Sequence, residues 1–189
     1  MPKPPILPKI DWNAVFESGL EYADWLKQAE NPDHVNHIKT RQSELDVPPH
    51  MAAMLAGLGR AVHVVAIAED WCGDVVRHVP VLQRLADHAP YLHIRYISRE
   101  QHPDVFVRFL TNGGEAIPKF IFLSDRFVEC GNWGPMTAAC REIISRGKAC
   151  GDVGSARAKV SKLYEAHADG QDVMCELLHL IDIAASVAP

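Results

Sequence analysis

One cysteine of five stands where a sulfur can do chemistry. Cys72 lies in Glu69-Asp70-Trp71-Cys72-Gly73-Asp74, between a β-branched apolar run and a helical pattern. A thiol at such a step faces the first N–H groups of the helix, which have no partner within it. Those groups and the helix dipole favour the thiolate, the form that attacks disulfides. Trp71 can shield one side and offer a flat surface to a partner, and Gly73 lets another backbone come close. Asp74 has two readings: a carboxylate that satisfies first-turn N–H groups, or a proton acceptor for Cys72. A carboxylate ~6 Å from the sulfur opposes the thiolate by roughly 3 kcal/mol at an effective dielectric of about 20. The helix end contributes ~0.3–2 kcal/mol the other way, and Arg77 can pair with Asp74 and blunt its charge. The terms nearly cancel, so the sign of the shift stays open at this level.

The remaining cysteines, Cys130, Cys140, Cys150 and Cys175, form no Cys-x-x-Cys pair, and the ten-residue steps between Cys130, Cys140 and Cys150 do not resemble a zinc pattern. They read as small semi-buried thiols in a reducing compartment. Cys130 is the best internal candidate for a second, resolving thiol, if the end of its strand approaches Cys72. His34 and His37 share a helical turn but lack a third ligand, so no metal is expected and they read as solvated surface.

The elements that must position Cys72 follow from hydrophobic periodicity. Residues 1–10 form a proline-rich arm. Residues 11–29 have helical spacing, Asn31-Pro32-Asp33 starts a second helix, and residues 50–58 make a third. Residues 62–68 read as a buried strand and residues 73–88 as a helix containing Pro80. Residues 91–98 make a second strand and residues 103–110 a helix. Residues 120–123 and 127–130 make a hairpin turning at Ser124-Asp125-Arg126. Residues 135–146 form a helix and 147–154 a loop. Residues 156–168 and 173–187 form an antiparallel helix pair. The order implies an α/β sandwich with a mixed sheet.

Trp71-Cys72-Gly73 after an apolar strand, Pro80 in the following helix, Ile117-Pro118 further on, and a hairpin after it together resemble the thioredoxin family. The likeness covers about residues 61–146. The whole chain looks like bacterial thioredoxin-like proteins with helical additions over residues 1–60 and 147–189. The resemblance implies a thioredoxin-like fold, with a mixed sheet flanked by helices and a cis proline at Pro118 beside the thiol. Cys72 and Asp74 become candidate catalytic residues. Trp71, Gly73, Ile117, Pro118 and Trp133 become candidate binding residues, with Trp71, Pro118 and Trp133 expected to line a groove. The chain also departs from the family. Val75 stands where the resolving cysteine belongs, Asp74 where a proline does, and the family's buried acid falls on Ala66. A dithiol cycle within one motif is impossible. What remains is single-cysteine exchange with protein or low-molecular-weight thiols, with glutathione as a possible co-substrate. The alternative is a redox-inactive module that grips an extended peptide.

The chain has 189 residues with a formal net charge of −5, which lacks the basic footprint of a general nucleic-acid binder. No apolar stretch reaches the ~18–20 residues that a bilayer demands. The proline-broken N-terminus has no apolar core of a secretion signal, so a cytoplasmic location is expected and no membrane or nucleic-acid partner. The oligomeric state is not legible.

Overall fold

The computed structural model describes residues 7–188, so most of the proline-rich arm lies outside the described residues. The helical pattern of residues 11–29 divides into α1 (Trp12–Glu17) and α2 (Tyr22–Lys27). Between them the chain turns extended, and Leu20 exchanges both backbone hydrogen bonds with Tyr96 at 2.9 Å. A side chain at Gly19 would put its Cβ 2.8 Å from that of Arg95, so glycine permits this approach. In α3 (Pro32–Glu44), Asn31 caps the helix by accepting from the Asp33 N–H at 3.0 Å. A short α4 (Pro49–Ala56) follows.

The central strand β1 (Val62–Ile67) leads through a loop into α5 (Gly73–Ala86). The buried Val75, Val79, Leu82 and Leu85 lie at helical spacing along α5. Next come β2 (Leu92–Ile97) and α6 (Pro103–Phe106), which tightens into a 3-10 turn over Val107–Phe109 rather than continuing as α-helix. The hairpin is β3 (Lys119–Leu123) and β4 (Glu129–Trp133). Phe127 and Val128 were expected in the second strand and belong to the turn instead. Phe127 has a φ of 58° and stacks on His63 with centroids 4.3 Å apart. Its apolar surface serves packing, not the ladder.

The helix expected over residues 135–146 is α7 (Ala138–Cys150), capped by Thr137 and ended by Gly151 at a φ of 77°. Gly147 stays helical because α8 (Val153–Ala166) crosses there. A Cβ on Gly147 would lie 2.4 Å from that of Ala156. The predicted pairing of the last two helices is corrected: α8 packs on α7, while α9 (Gln171–Ala185) packs on β4, β3 and α5. Burial explains the difference. Helix α9 buries Val173, Met174, Leu177, Leu178 and Ile181, and α8 buries only Ala156 and Val160.

The sheet order is β2-β1-β3-β4, with β1–β2 parallel and the other pairs antiparallel. Ile67 lies opposite Lys119, and Phe120 opposite Trp133. The end of β1, the start of β3 and the end of β4 therefore share one edge of the sheet.

Candidate functional site

At that edge the loop after β1 is tied down from several sides. Trp25 Nε1 donates to the Ala68 carbonyl at 3.1 Å, and the Asn31 N–H donates to the Asp70 carboxylate at 3.1 Å. His34, expected as solvated surface, hydrogen-bonds the Asp70 carbonyl through Nδ1 at 2.7 Å. The Glu69 carboxylate accepts from the Arg99 backbone N–H and Nε, both at 3.0 Å, and from Trp71 Nε1 at 2.9 Å. Trp71 is 55% exposed, and the Arg99 guanidinium sits 5.1 Å from its ring centroid. The loop thus presents a large aromatic face to solvent beside the thiol.

Cys72 is the N-cap residue of α5. Its half-buried sulfur lies near the Val75 and Asp74 N–H groups and donates to the Ile117 carbonyl at 3.4 Å. The Ile117–Pro118 peptide bond is cis. A Cβ on Gly73 would meet nothing within 4 Å, so the space above the first turn is open. Burial pushes the Cys72 thiol above its usual value. The two backbone N–H groups pull the other way, Asp74 adds to the rise, and Arg99 opposes it.

Asp74 does not cap the helix. Its Oδ1 accepts from the Tyr164 hydroxyl of α8 at 3.0 Å. Arg77 does not pair with Asp74 either; its guanidinium lies over the Tyr164 ring, 4.3 Å from the centroid. Behind Tyr164 stands His78, whose Nε2 is 3.4 Å from the same hydroxyl. With the hydroxyl proton donated toward Asp74, Nε2 must donate to the hydroxyl oxygen, which makes Nδ1 the acceptor, and that atom is buried without a partner. Burial holds His78 neutral, with its pKa pushed down to about 3. Burial raises the Asp74 carboxyl above its usual value, while the Tyr164 bond and Arg77 act against that. Tyr164 and His78 escaped the sequence reading: nothing local marks a tyrosine ninety positions from Asp74 as its partner.

Trp133 does not line a groove. It is 2% exposed, stacks on Phe120 and donates to Glu176 at 2.6 Å. Lys119, next to Pro118, was also missed. Its ammonium donates to the Gly134 carbonyl at 2.7 Å, and burial pushes its pKa down to about 8.

A family model described as Thioredoxin matches residues 19–159. The chain belongs to the thioredoxin family. Among solved structures, a protein of unknown function from Pseudomonas aeruginosa superposes with a TM-score of 0.67 at 18% identity, over 92% of this chain and 98% of that one. An HIV epitope scaffold superposes with a TM-score of 0.68 at 15% identity, over the same shares. At that coverage the shared fold takes in the helical additions. No curated protein sequence matches the chain.

Within this thioredoxin fold, Val75 and Ala66, at the positions of the family's second cysteine and buried acid, are both fully buried. Cys130 is not beside Cys72. The β3–β4 register sets Glu129 opposite Leu123 and Trp133 opposite Phe120, so Cys130 sits toward the far end of the sheet. The stretch from Cys130 to Trp133 alone spans roughly 10 Å of strand, and a disulfide needs Cα atoms within about 7 Å. All five cysteines are unpaired; Cys150 and Cys175 are exposed and Cys140 is buried. Among the described residues, no helix is long and apolar enough to cross a membrane.

Proposed function

We propose that the chain is a thiol–disulfide oxidoreductase working through Cys72 alone. The observation that carries this reading is a half-buried thiol at the N-cap of α5, hydrogen-bonded to the carbonyl before the cis proline, with no second cysteine in its motif. The Cys72 thiolate attacks one sulfur of a disulfide. A bond forms between the two sulfurs as the substrate's S–S bond breaks, and the departing thiolate takes up a proton. A low-molecular-weight thiol such as glutathione then attacks the mixed disulfide, carries off the substrate sulfur and restores Cys72. Asp74 is the acceptor for the thiol's proton, and Tyr164 hydrogen-bonds its charged form. The partner's extended segment lies against Pro118 through main-chain hydrogen bonds, with Trp71 as the exposed wall. Five unpaired cysteines fit a reducing compartment such as the cytoplasm.

The test is reduction of a peptide disulfide with excess glutathione. The rate should depend on the protein and fall to the uncatalysed level in Cys72→Ser. Val75 and Ala66, standing where the family has its second cysteine and buried acid, favour a second reading, a peptide-binding module without turnover. That reading expects Cys72→Ser to keep full partner binding and the wild-type protein to give no rate above background.

A further inference from the structure

A groove adjoining the thiol site runs between α7 and α8, with a volume of about 410 Å³. Met136, Ile144 and Val160 make its apolar floor, Lys148 and Arg157 its rim, and Asp74 and Tyr164 its inner end. Two contacts join it to the region around Cys72. Asp74 follows Cys72 in the first turn of α5. On the other side, the Gly134 backbone lies so close to Pro118 that a Cβ there would fall 2.1 Å from the Pro118 carbonyl oxygen. Met136 continues from that contact into the groove.

Charge sets these two helices apart. Residues 138–166 hold six Lys or Arg against three Asp or Glu, in a chain whose net charge is −5. Lys148 and Arg157 are exposed, and neither forms an ion pair within the described residues. An apolar floor under an unpaired basic rim complements a chain segment that mixes apolar and acidic side chains. A basic rim of this kind favours the approach of anionic partners.

We infer that the α7–α8 groove binds an acidic, partly apolar segment of a partner polypeptide and so selects which disulfides are offered to Cys72. This rests on the thiol-exchange reading. Rates of mixed-disulfide formation at Cys72 test it with two thiopyridyl-activated cysteine peptides: one carries Leu and Glu residues flanking the cysteine, and in the other each Glu is Gln. At ~20 mM salt, where the Debye length is roughly 20 Å, the acidic peptide should react about tenfold faster. The preference should shrink at 0.5 M salt and vanish in the double variant Lys148→Glu, Arg157→Glu. Dithiodipyridine itself should react equally with both proteins. Equal rates for the two peptides at all salt concentrations, or a preference that survives the charge reversal, overturns the inference. So does an equal loss of rate with oxidised glutathione, which makes the occupant a small anionic thiol. If Cys72 forms no mixed disulfide with any reagent, the exchange reading fails by itself. Fluorescence anisotropy of the acidic peptide with Ser for Cys, against Cys72→Ser protein, then decides the groove: binding lost on charge reversal upholds it, and no binding refutes it.

Discussion

The Cys72 thiol sits under opposed influences that the sequence named without ranking. Its place at a strand-to-helix step, the neighbouring Trp71 and the carboxylate at Asp74 were all legible, because each is local. The ranking was not, because desolvation depends on how Ile117 and the rest of the edge close over the sulfur. Of the two readings of Asp74, helix capping falls away for a related reason: Tyr164 comes from the other end of the chain and takes the carboxylate that first-turn N–H groups would otherwise hold. Asp74→Asn removes a like charge from beside the thiol, so the pH midpoint of Cys72 alkylation should move down. A midpoint that stays or rises contradicts the electrostatic account. Tyr164→Phe removes a hydrogen bond to a charged group, and urea unfolding at pH 7 should register a loss of about 1.5–3 kcal/mol. His78 has its own signature. Its folded pKa of about 3 lies below the unfolded value of 6.5, so the unfolded chain binds the extra proton between those limits. That contribution is complete above pH 6.5 and is lost as pH falls, at up to about 1.4 kcal/mol per pH unit. The urea midpoint should therefore drop more steeply from pH 7 to 5 in wild type than in His78→Phe; parallel slopes would count against a neutral buried imidazole.

At the scale of elements, β1, α5 and β2 came straight from periodicity, since a buried β-branched run and an amphipathic helix have few other solutions. The misplacements share a cause, which is tertiary contact overriding local pattern. Leu20 breaks one helix into two by pairing with Tyr96. Phe127 looks like a strand residue and serves as a turn residue stacked on His63. Gly147 reads as a loop and is instead the crossing point of α7 and α8. That last point is testable: Gly147→Ala places a methyl group against Ala156 and should cost about 1–3 kcal/mol by overpacking, despite alanine's better helix propensity. Thermal unfolding of the variant checks the sign. A gain in stability would mean that the two helices are not in such close contact.

Across the whole molecule, one buried cluster runs from Trp12 and Phe16 through the sheet to Ile181 and Ala184, so the terminal helices are part of the core that supports the Cys72 edge. Trp25 illustrates the link. It stacks on Tyr96 with centroids 4.8 Å apart and donates to Ala68, at the start of the loop that carries Cys72. Trp25→Ala should cost roughly 3–5 kcal/mol, and amide exchange over residues 68–72 should accelerate beyond that of the β3 strand. The central claim is that Cys72 is the sulfur that exchanges. Trypsin cuts after Arg60 and Arg77, so the peptide 61–77 contains no other cysteine. After the folded protein has been incubated with oxidised glutathione, mass spectrometry of that peptide should show one glutathione adduct, removed again by added thiol. An unmodified 61–77 peptide, at times when the exposed Cys150 and Cys175 have already reacted, would contradict the account.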